Sequence, residues 1–428
     1  MKINKYLIAL LSLFAIVFVS CEDKSDLTVP EAPSTGSANF TKFVSIGNSL
    51  TQGEQSGSVF ESAQEYSYGN LIAKQVGTTY AQALFTDPGS GGRIEVQSVS
   101  PFVTKINSSA GTPKNLTYPA PYNNLGVKGA FLWDVANTTS SANNYTAQFG
   151  APNAMFDAVL RGSGTQLQLA IAQNPTFVTL WIGNNDILAY ATRGGLFPVT
   201  TPANFQTWYG QILDALSQTS AKVVVANIPD VTSVPFFTTV GGQLLLGGVS
   251  QVVGTKSDGS VAAMDLRKNL LTLQAAAELA QGKGLSPQNP LSNGVILDES
   301  EIAIAKQVIA GYNQIISSLA TAKGYGVVDI KAFFTNVAAS GLIVDGIHFT
   351  ARYVEGGIFS LDGVHPTNQG YAIIANEFIK VINTKFGAKI PLVNVSTIPG
   401  SLVLAKKVEY DKLGIPIFPE GALDNIAF

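Results

Sequence analysis

Four short apolar runs, at residues 42–46, 176–182, 221–228 and 325–330, constrain this chain more than any other feature. Each is continuously β-branched or apolar, the pattern of a strand buried on both faces. Such strands belong to parallel sheets, and a parallel pair needs a crossover, usually helical, between its members. The periodicity predicts helices over 205–216, over 301–319 and over 368–386, where Tyr371, Ile374, Phe378, Ile379, Ile382 and Phe386 share a face. Asp298, three residues before Glu301, resembles a capping pair at the start of the second. This alternation predicts an α/β fold, with three α/β/α layers around a mainly parallel central sheet.

Three stretches read as insertions: 54–123, rich in Gly, Ser and Pro; the loop 190–204; and 236–299, with an Asp258-Gly259 turn and a helix expected over 266–280. They shape a cleft or decorate the surface. Neither Gly89-Ser90-Gly91-Gly92 nor Gly241-Gly242 is a phosphate loop, because no Gly-Lys-Ser/Thr follows. Residues 389–428, with four prolines, are expected to be a C-terminal extension that wraps the domain or frays.

The start of the chain predicts export. Lys2 and Lys5 precede a short apolar stretch, too short to span a membrane comfortably, and Ser20-Cys21 follows. Phe18-Val19-Ser20-Cys21 resembles a bacterial lipobox, so residues 1–20 are expected to be a lipoprotein signal peptide and Cys21 the lipidated mature terminus. Several acyl chains on one cysteine anchor a protein stably. Residues 21–39 then form a flexible tether, and Glu22-Asp23-Lys24-Ser25-Asp26 resembles acidic export signals of surface lipoproteins. The expected location is the bacterial cell envelope, at the outer membrane.

Composition narrows the chemistry. Lys and Arg number 26 against 29 Asp and Glu, a net charge of −3, so no basic field awaits nucleic acid. One cysteine and two histidines exclude internal disulfides and a zinc site of four cysteines or of two cysteines and two histidines. No metal or organic cofactor is expected, although an all-oxygen Ca²⁺ or Mg²⁺ site stays open. Catalysis falls to hydroxyls, carboxylates, amides and one of two imidazoles.

Three segments carry such groups. The run ending in Ile46 leads into Gly47-Asn48-Ser49-Leu50, which sets a serine just beyond a strand's carboxyl end, where open α/β sheets place their sites. The same residues also read as ordinary turn chemistry. The run ending in Ile182 leads into Gly183-Asn184-Asn185-Asp186, whose amide could serve an oxyanion or close an Asx turn. Asp362-Gly363-Val364-His365-Pro366 lets a carboxylate curl back onto an imidazole within one turn. Asp345-Gly346-Ile347-His348 has the same spacing, but only His365 has the proline and the long helix that would fix its position.

Together these segments resemble the SGNH/GDSL hydrolase family, whose blocks read Gly-Asp-Ser-Leu, Gly-x-Asn-Asp and Asp-x-x-His-Pro in this order. A glycine block is matched by Asn124-Leu125-Gly126-Val127-Lys128-Gly129-Ala130, and the likeness spans about residues 40–388, insertions aside. The resemblance implies a flavodoxin-like sheet and an ester hydrolase, an esterase or lipase. It assigns Ser49 as nucleophile, His365 as general base and then acid, and Asp362 as its orienting carboxylate. The oxyanion hole would be the N–H groups of Ser49 and Gly129, with Gly126 as the alternative, and the Asn185 amide. The partner would be a small-molecule, glycan or lipid ester. Asn48 replaces the usual aspartate, which leaves a second reading: a lipid-anchored glycan- or lipid-binding protein on a decayed scaffold. Ser49, Asn185 and His365 argue against it.

Overall fold

A computed structural model describes residues 32–99 and 102–400, and the backbone of 409–410 and 416–417. The expected signal peptide, Cys21 and the start of the tether lie outside the described residues, as does most of the extension beyond residue 400. The chain divides into Met1–Pro33 and Ser34–Phe428, and the fold is that of the second unit.

The central sheet has five strands, β1 (Phe43–Gly47), β2 (Asn124–Gly126), β3 (Phe177–Trp181), β4 (Lys222–Ala226) and β5 (Gly326–Val328), in the order β5-β4-β3-β1-β2. Every pairing is parallel, as continuous apolar runs require. β1 and β3 are wholly buried at the centre. β2 is invisible to periodicity because it is three residues long and contains a glycine. The chain builds outward from β1 in both directions, so a crevice opens where β1 and β3 end.

The helices that matter are α1 (Ser49–Gln52), α2 (Tyr68–Val76), α3 (Gln166–Ala172), α4 (Asn185–Ala191), α5 (Pro202–Ser217), α6 (Pro235–Leu246), α7 (Glu299–Ala322), α8 (Ile330–Ser340) and α9 (Asn368–Phe386). α2 and α9 cover one face of the sheet, where Tyr68 stacks on Phe378 at 4.6 Å and both rings meet Trp181. α3, α5 and α7 cover the other, where Phe205 stacks on Tyr312 at 3.9 Å. The capping pair of α7 is present in both directions: Asp298 accepts from Glu301 N–H, and Glu301 accepts from Asp298 N–H.

Several expectations need correcting. Within 54–123, Tyr68–Val76 is a layer helix, and Arg93–Val99 with Phe102–Asn107 forms a hairpin. Within 236–299, the helix expected over 266–280 is helical only at Ala275–Ala280. Leu270–Leu271 instead pairs with Ile296–Leu297, burying Leu271 in a separate apolar cluster with Val252, Met264 and Ile296. The flexible tether does not run to residue 39: Ser34 exchanges backbone hydrogen bonds with Lys389, Ser37 N–H donates to Phe386 O at 2.9 Å, and Ala38 is buried. Residues 389–400 lie along α9, held by Asn383 on Ile390 and Asn376 on Val393, each amide bonding both the N–H and the C=O.

Candidate active site

The position of Ser49 starts at Gly47. A Cβ there would collide with Thr51 Oγ1 and the Trp181 carbonyl, so only glycine lets the chain turn tightly off β1. Asn48 then caps α1, its Oδ1 accepting from Leu50 N–H at 3.1 Å, while its Nδ2 donates to Asn184 Oδ1 at 3.2 Å. The loops leaving β1 and β3 are thereby tied together. Ser49 follows as the first helical residue.

Ser49 Oγ lies 2.9 Å from His365 Nε2, and His365 Nδ1 lies 2.9 Å from Asp362 Oδ2. The His365 ring comes from the loop before α9, whose first turn is capped by Thr367. Asp362 Oδ1 accepts from the N–H groups of Val364 and His365, each at 2.8 Å, and Oδ2 accepts from Gly57 N–H at 2.7 Å. Burial alone would raise the Asp362 pKa. The His365 charge and these hydrogen bonds outweigh it and hold the carboxyl near 2. For His365, burial pushes the pKa down, but the charges of Glu54 and Asp362 and the Asp362 hydrogen bond leave it above its ordinary value, with Lys128 opposing.

Glu54, Gly57 and Lys128 were not singled out for the site in the sequence. Glu54 is buried, its Oε2 3.5 Å from His365 Nε2 and its Oε1 2.7 Å from Lys128 Nζ. Lys128 Nζ also donates to Gly57 O at 2.5 Å. A lone carboxylate five residues past the serine carries no periodic or spacing signal. Glu54, Asp362 and His365 form the one grouping of potential metal ligands among the described residues. The Lys128 ammonium already satisfies Glu54, and Ser49 already satisfies the imidazole, so the group does not read as a metal site.

The candidate oxyanion donors, the N–H groups of Ser49 and Gly129 and the Asn185 amide, come from three elements: α1, the loop beyond β2 and α4. Lys128 N–H donates to Gln52 Oε1 at 2.6 Å, which sets the loop beyond β2 against α1. Gly129 has φ +78°, the left-handed region that favours glycine. Among the described residues the N–H groups of Ser49 and Gly129 have no acceptor, whereas Gly126 N–H is spent on Asn124 Oδ1 at 2.9 Å. Asn185 Nδ2 donates to Ala130 O at 2.8 Å, which leaves its second amide hydrogen available. Two buried carboxylates pin the same loop. Asp186 accepts from Leu132 N–H, and Asp134 accepts from Phe131 N–H. Burial raises Asp186 to about 7 and Asp134 to about 6.

Ser49, Asn185 and His365 open on an apolar pocket of about 40 Å³ walled by Val231, Val234 and Phe334. On the other side of Asn185 lies a wider cleft of about 510 Å³, reached by Gly129, Asn153 and Arg193. His348 is elsewhere, exposed on the hairpin of Leu342–Val344 and Ile347–Phe349, and its expected partner Asp345 accepts from Val395 N–H instead.

Residues 43–378 match the family model described as GDSL-like lipase/acylhydrolase. No curated protein matches the chain. Among solved structures, an α/β hydrolase from a Lake Arreo metagenome is 12% identical, with a TM-score of 0.37 and coverage of 82% of this chain and 98% of its own. The acetylxylan esterase Axe2 of Geobacillus stearothermophilus is 12% identical, with a TM-score of 0.36 and coverage of 81% and 96%. Phospholipase A1 of Streptomyces albidoflavus is 15% identical, with a TM-score of 0.33 and coverage of 81% and 100%. At this distance they say nothing of this chain's substrate.

Proposed function

Because the chain belongs to the GDSL-like lipase/acylhydrolase family, and is thereby a hydrolase of ester bonds, we propose that it cleaves carboxylic esters through an acyl-enzyme on Ser49. The observation that carries this reading is the unbroken chain Ser49 Oγ–His365 Nε2–His365 Nδ1–Asp362 Oδ2, each hydrogen bond 2.9 Å long. A serine hydroxyl is a weak nucleophile until a neighbouring base takes its proton. Asp362 accepts from Nδ1–H, which fixes the tautomer that leaves Nε2 free to receive that proton.

Ser49 Oγ attacks the ester carbonyl carbon as its proton passes to His365 Nε2. The negative charge that develops on the carbonyl oxygen is met by the N–H groups of Ser49 and Gly129 and by the Asn185 amide. Donors fixed in advance are worth most here; one such donor typically contributes about 2.7–4 kcal/mol. The tetrahedral intermediate collapses, its C–O bond breaks, and the leaving alkoxide takes the proton from Nε2. Water then attacks the acyl-enzyme, giving one proton to His365. Collapse returns that proton to Ser49 and releases the acid. The apolar pocket is suited to the acyl part and the wider cleft to the alcohol part, whether small molecule, glycan or lipid.

A fluorophosphonate, which captures an activated serine, tests the reading on a chain beginning at Glu22. Peptide mass spectrometry should find one adduct, on Ser49, lost in His365→Ala and retained in His348→Ala. A folded protein that takes no adduct sinks it. The same proposal places the enzyme at the bacterial envelope through a lipidated Cys21, resting on the sequence before it. Cells fed an alkynyl fatty acid should label the wild type and not Cys21→Ser; equal labelling of both would count against the anchor.

A further inference from the structure

Glu54 and Lys128 are charges that a bare serine, imidazole and carboxylate relay does not need. Glu54 is buried, and desolvating a carboxylate is expensive where an apolar side chain of like volume would fill the space at least as well. Their placement is specific. Glu54 Oε2 faces His365 Nε2 at 3.5 Å, on the side of the ring opposite the Asp362 hydrogen bond. Lys128 Nζ holds the other Glu54 oxygen at 2.7 Å and the Gly57 carbonyl at 2.5 Å, while Gly57 N–H donates to Asp362. A ring of contacts therefore runs Glu54–Lys128–Gly57–Asp362–His365, and Lys128 immediately precedes Gly129. Among the described residues the charged groups facing the imidazole are Asp362, Glu54 and, one contact further, Lys128. Among the described residues, Tyr371 donates to the Glu54 backbone oxygen at 2.8 Å and Tyr353 to the Leu361 carbonyl at 2.6 Å, and neither hydroxyl bonds the ring.

We propose that Glu54 is a positioning residue that favours the imidazolium form of His365 from its Nε2 side, and that Lys128 sets the strength of that effect. This rests on the acyl-enzyme reading above. In the resting site Nε2 presents a lone pair that accepts from Ser49, and Glu54 gains nothing from it. Once the serine proton arrives, Nε2–H lies between Ser49 Oγ and Glu54 Oε2, and the carboxylate attracts it. An interaction that exists only after proton transfer stabilises the transition state over the ground state. The same attraction holds the proton in the free enzyme, so the base is unmasked only at higher pH. Lys128 draws on the same carboxylate and restrains both effects.

The two side chains therefore act with opposite signs. The test is the pH profile of kcat/KM, with plateau kcat, for wild type, Glu54→Gln and Lys128→Met. Glu54→Gln should move the acid limb to lower pH and lower plateau kcat on the order of tenfold, less than loss of the base itself costs. Lys128→Met should move the limb to higher pH. A limb that stays in place in either variant, or moves the same way in both, overturns the inference. Proton NMR of the two imidazoles, with His348→Gln to assign them, reads the same equilibrium without turnover. In a Ser49→Ala background, adding Lys128→Met should raise the His365 midpoint and adding Glu54→Asp should alter it; unmoved midpoints overturn the inference even if Glu54→Gln does not fold. A wild type that labels on Ser49 while ignoring these substitutions defeats this inference alone. One that neither labels nor hydrolyses esters defeats both.

Discussion

Asn48 stands where the GDSL pattern carries aspartate, and its two contacts account for the exchange. Its Oδ1 caps α1 and its Nδ2 donates to Asn184 Oδ1, while Asn184 Nδ2 is buried with no partner among the described residues. An aspartate would keep the cap, and a flipped Asn184 amide would donate to it. Asn48→Asp should therefore retain kcat/KM within a few fold. Asn48→Ala removes cap and tie together and should cost about 1–2 kcal/mol in urea unfolding. Equal losses in both variants would show that the amide itself is required. Ser49, Asp362 and His365, which the fold brings within hydrogen-bond reach of one another, were legible because each belongs to a short spacing beside a strand or helix end. Glu54 was not, because its meaning lies in a contact with a residue 311 positions away.

The small pocket is built by elements that the sequence shows only in part. The loop between β4 and α6 brings Val231 and Val234, α8 brings Phe334, and the loop before α9 brings His365. At about 40 Å³, against about 510 Å³ for the cleft beyond Asn185, it is the narrower of the two spaces, so an acyl group seated there would be short. Acetyl to butyryl esters should be the best substrates, with kcat/KM falling about tenfold or more for octanoyl. Val234→Ala should relax that limit, and a wild-type profile flat from two to eight carbons would show the acyl chain lies elsewhere. Strands β1, β3, β4 and β5 and helices α5, α7 and α9 were readable from apolar periodicity. β2 was too short to show, and the expected helix over 266–280 gave way at Leu270–Leu271 because a short leucine-rich run serves strand and helix equally.

At the scale of the molecule, the two carboxylates that pin the loop beyond β2 oppose stability at neutral pH. Burial raises Asp186 to about 7 and Asp134 to about 6, above the value near 3.9 of an unfolded aspartate. Between about pH 4 and 7 these two groups thus hold more protons in the folded state than in the unfolded chain, and their contribution to stability falls as pH rises through that window. Asp362 works the other way: its contribution is present above about pH 4 and is lost as pH falls toward 2. His365, raised above its ordinary value, adds a further loss as pH climbs through its folded pKa. Asp186→Asn isolates one term. Wild-type stability minus that of the variant, from urea midpoints at each pH, should fall from pH 4 to 7; parallel curves would mean Asp186 stays ionised in the fold.

The sequence by itself determined the parallel sheet, most of its covering helices and three of the turns that line the candidate site, because periodicity and short spacings are local properties of a chain. It also separated His365 from His348 through the proline and helix that follow. Only the tertiary structure decided which glycine keeps a free N–H, since the distinction rests on Asn124 accepting from Gly126. It alone showed that residues 34–40 and 389–400 dock on the body instead of fraying, and that Glu54 faces His365 while Lys128 holds Glu54. Those outcomes depend on which distant groups folding brings within hydrogen-bond reach, and no local pattern encodes a contact made across hundreds of residues.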